Sequence, residues 1–405
     1  MRSRLRVLQV ISSISGVRGG PSVTVRNIAK ALCRRGIEVD TVTTDDDGDD
    51  RRLDVPLDRF VEMEGQRVRY FPRQFRRYCV SFPMQSWLHR NVRNYDLLHT
   101  HGLFSFAPLA AAWAARRAGV PYVMRPAGVL DTWGMQNKSR LIKHTSLKLV
   151  DGPLLEGASA VHFMTDLEQR RATDLHLSIK PVVLPLGFDF ATANETAAPP
   201  RGDLHLEGKH VILYIARIHQ IKCVDVLLRA FAGIPEAHSA VLLIAGDGEP
   251  SLVSSLQALG ADLGLRERVK WLGFASGPHK RWLFPRASVF VLPSASENFG
   301  VAVVEAMNAG LPVVVTQGCG LASLVDSSRA GFVTDGSVEA LREALQRLLA
   351  DESLRRSMGV AGRGVVDSQL SLAAFGSRLE ELYEGILAGT SDVADASVIS
   401  RGAGS

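Results

Sequence analysis

Two acids and two cations have the types and spacing to hold a ligand bearing phosphate and hydroxyl groups. Glu297 lies in Pro293-Ser-Ala-Ser-Glu-Asn-Phe-Gly300, and Glu305 follows eight residues later. Arg217 and Lys222 bound the stretch Arg217-Ile-His-Gln-Ile-Lys222. The apolar run 288–292 reads as a buried parallel strand that stops at Pro293. Gly300 then opens a helix, so Glu297 is a loop residue and Glu305 lies about a turn and a half inside the helix. Carboxylates so placed cannot share a proton and suit two hydroxyl groups of one extended ligand. Backbone N–H groups of Phe299, Gly300 and Val301 are free at the helix start and favour an anion. Arg217 and Lys222 follow a predicted strand, 210–216, and precede a helix from Val224 to Phe231. The carboxyl end of such a strand is where α/β ligands gather, and a diphosphate needs positive charge there. Each feature also has a plain reading: Glu297 as a helix cap, Glu305 as a solvated helix residue, and two exposed cations beside a turn.

The surrounding elements make this reading coherent. Predicted strand 5–11, a Gly/Ser loop, helix 21–35 and strand 37–43 form a doubly wound opening. Pro21 starts the helix, Val25, Ile28, Ala29 and Leu32 give it one apolar face, and Gly36 ends it. Gly19-Gly20 precede that helix, where glycines let backbone N–H groups approach a phosphate, although the spacing is not GxGxxG. Further strands are predicted at 95–101, 160–164, 182–184, 241–245, 269–274, 311–316 and 331–333, and long helices at 338–350 and about 372–387. Gly246 and Gly320 sit in glycine loops after two of these strands. His99 and His101 alternate on one strand face, without the further ligands that a metal needs.

The pattern Ser294-x2-Glu297-Asn-Phe-Gly-x4-Glu305-Ala-Met-x-Ala-Gly-x-Pro-Val-Val resembles the donor-binding signature of glycosyltransferase family 4, retaining enzymes of GT-B fold. Arg217-x4-Lys222 resembles the family's Arg-x4-Lys-Gly, with Cys223 in the glycine's place. The stretch 96–101 resembles its Asp-x-x-His-x-His, and Pro185-Leu-Gly-Phe-Asp189 its Pro-Asn-Gly-x-Asp. Relatives often carry histidine or arginine just before a glycine near the donor sugar; here Ala127 stands there, with Arg125 two residues earlier. The resemblance implies an α/β fold of two Rossmann-like doubly wound domains facing a central cleft. Residues 1–190 form the acceptor-side domain, 191–208 a linker and 209–370 the nucleotide-sugar domain; helix 371–388 crosses back and 389–405 is a disordered tail. It implies transfer of a hexose from a nucleotide diphosphate sugar to an acceptor hydroxyl, in polysaccharide or lipid-linked glycan synthesis. Glu297, Arg217, Lys222 and His101 are the implied catalytic residues. Gly19, Gly20, Asn298, Phe299, Gly300, Glu305, Gly246 and Gly320 are the implied donor contacts. No cofactor or metal is implied. A nucleotide-sugar epimerase on the same scaffold, or a non-catalytic sugar-nucleotide-binding protein, are the alternative readings.

The 405-residue chain suits two domains, and its 46% hydrophobic and 22% charged residues are those of a globular protein. A net charge of +5 fits anionic substrates without requiring nucleic acid. The four scattered cysteines show neither a metal pattern nor a disulfide framework, which points to a cytoplasmic location. The longest apolar stretch, 103–115, contains Pro108 and is too short to span a bilayer. The acidic run 45–50 reads as a solvated loop. In 67–78, arginines including Arg73, Arg76 and Arg77 interleave with aromatics. That stretch, with Arg125, is a candidate acceptor or membrane side, giving peripheral contact with the inner face of a membrane; a surface loop with extended arginines is the plainer alternative. A second basic stretch, 138–148, reads either way.

Overall fold

The computed structural model describes residues 4–130, 140–190, 196–200, 204–236 and 239–390. Lys138, parts 191–195 and 201–203 of the expected linker, and residues 391–405 of the expected tail lie outside the described residues, as do the side chains at 140–142. The chain divides into two compact units, residues 1–189 with 369–405, and residues 190–368.

The first unit holds an eight-stranded sheet in the order β3-β4-β2-β1-β5-β6-β7-β8. Its strands are β1 (Arg6–Ile11), β2 (Glu38–Thr44), β3 (Phe60–Met63), β4 (Gln66–Phe71), β5 (Leu97–His101), β6 (Tyr122–Arg125), β7 (Ala160–Phe163) and β8 (Pro181–Val183). All neighbours are parallel except β3 with β4. The helices are α1 (Gly20–Arg34), α2 (Phe82–Asn91), α3 (Phe106–Ala118), α4 (Arg140–Ser146), α5 (Gly152–Glu156) and α6 (Asp166–Thr173). In α1, the predicted apolar face Val25, Ile28, Ala29 and Leu32 is buried. In α3, six alanines are buried, so this helix lies close on β1, β5 and β6.

The second unit holds a six-stranded parallel sheet in the order β11-β10-β9-β12-β13-β14. These strands are β9 (His210–Ile215), β10 (Ala240–Ala245), β11 (Val269–Gly273), β12 (Val289–Leu292), β13 (Val313–Thr316) and β14 (Gly331–Thr334). Its helices are α7 (Val224–Ala232), α8 (Pro250–Asp262), α9 (Gly277–Leu283), α10 (Val301–Asn308), α11 (Ala322–Ser328), α12 (Val338–Ala350) and α13 (Glu352–Val365). Both faces of β10 and β12 are buried, as parallel strands covered by helices require. The last helix, α14 (Leu372–Ala388), belongs to the first unit and packs on α1, where Arg35 pairs with Glu380. Gly187 lets the chain pass Phe375: a Cβ there would lie 2.4 Å from the Phe375 Cβ.

Two expectations for the first unit are corrected. The acidic run is not a solvated loop at its start, because Asp45 and Asp46 are buried. Asp46 accepts from Arg18 and, at 2.5 Å, from Arg73. Burial alone would raise the Asp46 carboxyl; the Arg18 and Arg73 bonds outweigh it and hold the carboxyl below its ordinary value. Stretch 67–78 is not one surface patch, because its first half is strand β4. Val68, Tyr70 and Phe71 enter the core and Arg67 pairs with Asp40. Arg73 is 4% exposed and locked to Asp46, so it offers nothing to an acceptor or a membrane. Arg76 and Arg77 remain on the surface beside exposed Phe75 and Tyr78, Arg76 facing Asp49 and Asp50. No described helix is long and apolar enough to cross a membrane.

Candidate functional site

In the second unit, a cavity of about 900 Å3 opens at the carboxyl ends of β9, β10 and β12. Parallel topology sends every strand's outgoing loop to this same edge. Arg217 emerges there from β9, and a tight turn, Gln220–Lys222, carries Lys222 to the start of α7. Cys223 closes the turn at φ 51°, ψ 44°, a left-handed conformation natural to glycine. The turn thus keeps a glycine geometry without the glycine.

The loop after β12 is fixed from both sides. Ala295 N donates to Ile221 O at 2.9 Å, joining it to the Lys222 turn. Glu297 N donates to Gly318 O, and Gly320 N donates back to Glu297 O at 2.7 Å. Gly318 permits this approach, since a Cβ would lie 2.2 Å from Ala295 O. Gly246 serves in the same way, its Cβ position being 1.8 Å from Ala216 O. Gly300 caps α10 at φ 92° with no side-chain cap, so Glu297 is not a helix cap.

Two ion pairs result. Lys222 Nζ lies 2.5 Å from Glu297 Oε2, and Lys280 Nζ donates to both Glu305 oxygens at 3.0 and 2.8 Å. Arg217 is exposed and makes no ion pair among the described residues. Phe274 (68% exposed) and Val301 (42%) add apolar walls. Burial pushes the Cys319 thiol up to about 12, with Glu297 adding to it, so this thiol is not a nucleophile at neutral pH. Burial likewise raises Cys223.

Arg217, Lys222, Gly246, Glu297, Gly300 and Glu305 thus line one cavity. Asn298, Phe299 and Gly320 are not in that lining; the Phe299 ring is in the core, 4% exposed. Sequence reasoning missed Lys280 and did not single out Phe274. The usable signal was their place at and just after the carboxyl end of β11.

The other predicted residues belong to the first unit. Gly19, at φ 66°, caps α1, and Gly20 begins it. His101 is 2% exposed and sits in a closed network. Arg125 Nε donates to His101 Nδ1 at 3.1 Å, so His101 carries its proton on Nε2 and donates to Gln9 Oε1 at 3.0 Å. His162 Nε2 donates to Leu184 O at 2.9 Å, leaving its Nδ1 to accept from His99 Nε2 at 3.4 Å. His99 Nδ1 then accepts from the Tyr383 hydroxyl at 2.7 Å. Each ring is held neutral with one donor and one acceptor. Burial first, then neighbouring charges, pull His99 and His101 well below their ordinary value and His162 to about 3. Arg125, expected on an acceptor side, is instead a core residue, 1% exposed, and burial draws its guanidinium to about 10. Ala127 sits at φ 59° beside Gly128. Among the described residues no group of three or more His, Cys, Asp or Glu side chains could hold a metal ion.

Two α/β units on mostly parallel sheets, with acids and cations meeting at strand ends in the second, are the architecture of the GT-B class. Residues 200–365 match the family described as glycosyl transferases group 1, and residues 19–187 the glycosyl transferase 4-like domain. The D-inositol 3-phosphate glycosyltransferase of Xylanimonas cellulosilytica is 29% identical over 380 residues, covering 86% of this chain and 88% of that one. Its counterpart in Corynebacterium urealyticum is 27% identical, covering 85% of each. Sucrose-phosphate synthase from Thermosynechococcus elongatus shares the fold with a TM-score of 0.71, 23% identity, and coverage of 96% of this chain and 100% of that one. Anabaena HepE in complex with UDP-glucose gives a TM-score of 0.70, 21% identity, and coverage of 94% and 100%. This chain belongs to glycosyltransferase family 4, has the GT-B fold and is a glycosyltransferase.

Proposed function

We propose that the protein transfers a hexose from a nucleoside diphosphate sugar to an acceptor hydroxyl with retention of anomeric configuration. The observation that carries this reading is the convergence of Arg217, Lys222, Glu297 and Glu305 on one cavity. Arg217 and Lys222 stabilise the departing diphosphate as negative charge grows on it. Glu297 accepts from sugar hydroxyls and Glu305 from the ribose. The acceptor oxygen attacks the anomeric carbon on the face the diphosphate leaves; the leaving oxygen keeps the bonding pair and takes the acceptor proton. These cations stand where other enzymes use a divalent metal, so no metal or other cofactor is required. HepE, solved with UDP-glucose, makes a uridine donor the first to try. The acceptor is a carbohydrate or lipid-linked hydroxyl, and the enzyme works in the cytoplasm, not on nucleic acid. Exposed Phe75 and Tyr78 with Arg76 and Arg77 are what remains of the expected membrane-facing patch.

Replacing Glu297 with Ala tests the assignment. Transfer should fall by at least about a hundredfold, as for removal of a group that holds charge or hydroxyls in a transition state, while nucleoside diphosphate binding stays measurable. Near-normal turnover would overturn the role. A rearranged sugar released without acceptor would replace transfer with epimerisation.

A further inference from the structure

A second concave site lies in the first unit, away from every residue used above. His89 and Arg93, at and just beyond the end of α2, face Arg117 near the end of α3 across a groove floored by Ala114 and Ala118. Its volume is about 360 Å3. Trp113 stands beside it, 48% exposed, with its ring 6.5 Å from that of His89 and 5.7 Å from the Arg117 guanidinium carbon.

Topology places this groove at the amino-terminal edge of the sheet. The chain leaves α2 to enter β5 at Leu97 and leaves α3 to enter β6 at Tyr122. His101, Arg125 and the Gly19-Gly20 loop are all at the opposite, carboxyl edge.

The charge is one-sided. Among the described residues, His89, Arg93 and Arg117 make no side-chain hydrogen bond or ion pair, and no acid lines the groove. Arg90 and Arg116 lie in the same helix ends and bond only to backbone carbonyls, Ser86 O and Pro153 O. Several arginines elsewhere in this unit meet acids, Arg18 and Arg73 with Asp46, Arg67 with Asp40 and Arg35 with Glu380, whereas Arg26 and Arg125 bond to a carbonyl, a histidine ring and a thioether. Two guanidinium groups lining one groove without a carboxylate fit phosphate or carboxylate oxygens. A half-exposed indole offers an apolar face and a polar edge, which suits the C–H face of a pyranose ring.

We infer that the groove between the ends of α2 and α3 is a distal binding site for an anionic sugar, with Arg93 and Arg117 on its phosphate or carboxylate and Trp113 against its ring. A concave floor of two alanines favours a discrete group over a flat bilayer. The site does not depend on the donor chemistry proposed above.

Calorimetric titration of the full chain with glucose 6-phosphate, glucuronate and neutral glucose tests it. The background is Glu297→Ala/Lys222→Ala, so that the donor cavity is disabled. One or both anionic sugars should bind, glucose should not, and Arg93→Ala/Arg117→Ala should weaken binding about tenfold or more, the scale of losing charge-assisted hydrogen bonds. Trp113→Ala should weaken the anionic sugars but leave inorganic phosphate unchanged, and circular dichroism should show both variants folded. No binding by either anionic sugar, or binding unchanged in the double-arginine variant, overturns the inference. So does sedimentation with phosphatidylglycerol vesicles that is lost in Arg93→Ala/Arg117→Ala while no sugar binds; the surface would then be a membrane contact.

Discussion

Lowering the pH from 7.5 to 5.5 should destabilise the first unit through its three buried histidines. His99, His101 and His162 are held neutral in a chain where each ring nitrogen has a fixed role. A proton added to His162 Nδ1 would meet the His99 N–H, and one added to His101 Nδ1 would meet the Arg125 N–H. Burial depresses all three below the ordinary value, His162 to about 3. The unfolded chain, with histidines near pH 6.5, therefore binds more protons below that pH, and stability rises with pH. The contribution is full above about pH 6.5 and is lost progressively down towards the folded values. A histidine that stays neutral in the folded chain down to pH 5.5 contributes on the order of 1 kcal/mol between pH 7.5 and 5.5, and the coupled three together a few kcal/mol. Against a total of about 5–15 kcal/mol, that loss is large. Hydrogen exchange of β1, β5 and β6 amides, corrected for intrinsic rates, reads this unit alone. Replacing His162 with Gln should reduce the pH dependence by on the order of 1 kcal/mol. Equal protection at both pH values, or the same pH slope with and without His162, would refute the reasoning.

Replacing Lys280 with Met leaves Glu305 without its cation in a pair whose side chains are 29% and 23% exposed. Donor KM should rise about tenfold, about 1.4 kcal/mol, with kcat changed less than about threefold, because the ribose is remote from the reacting bond; steady-state kinetics over donor concentration separates the two. Cys223→Gly removes left-handed strain of about 1–2 kcal/mol against a chain-entropy cost of about 0.5–1 kcal/mol. Urea denaturation should therefore show a net gain of about 0–1.5 kcal/mol with transfer retained, and a loss above about 1 kcal/mol would contradict the strain.

What the sequence made legible was the edge of a parallel sheet. Arg217, Lys222, Glu297 and Glu305 could be placed together because each follows the carboxyl end of a strand. Lys280 carries only a weaker form of that mark: it lies inside the helix that follows β11, outside the motif pattern, and its partner is 25 residues away. Charges that pair over long separations were misread for the same reason. Asp46 and Arg73 are 27 residues apart, and each alone resembles a solvated charge. Strand β4 was hidden because its outward residues are arginines, although Val68 and Tyr70 alternate inward. Helix α13 was missed because Gly359, Gly362 and Gly364 depress helix propensity. Two of these glycines are contacts: Gly359 lies where a Cβ would be 2.0 Å from Gly310 O, and Gly362 packs on Met307.

Titration of the chain with a panel of UDP-, GDP- and ADP-sugars, by thermal shift and then calorimetry, tests the shared cavity most directly. At least one nucleoside diphosphate sugar should bind at a single site, and combined substitution of Arg217, Lys222, Glu297 and Glu305 by Ala should remove that binding from a folded protein. Binding of a sugar nucleotide with undiminished affinity to the quadruple variant, or no binding by any donor of the panel, would contradict it.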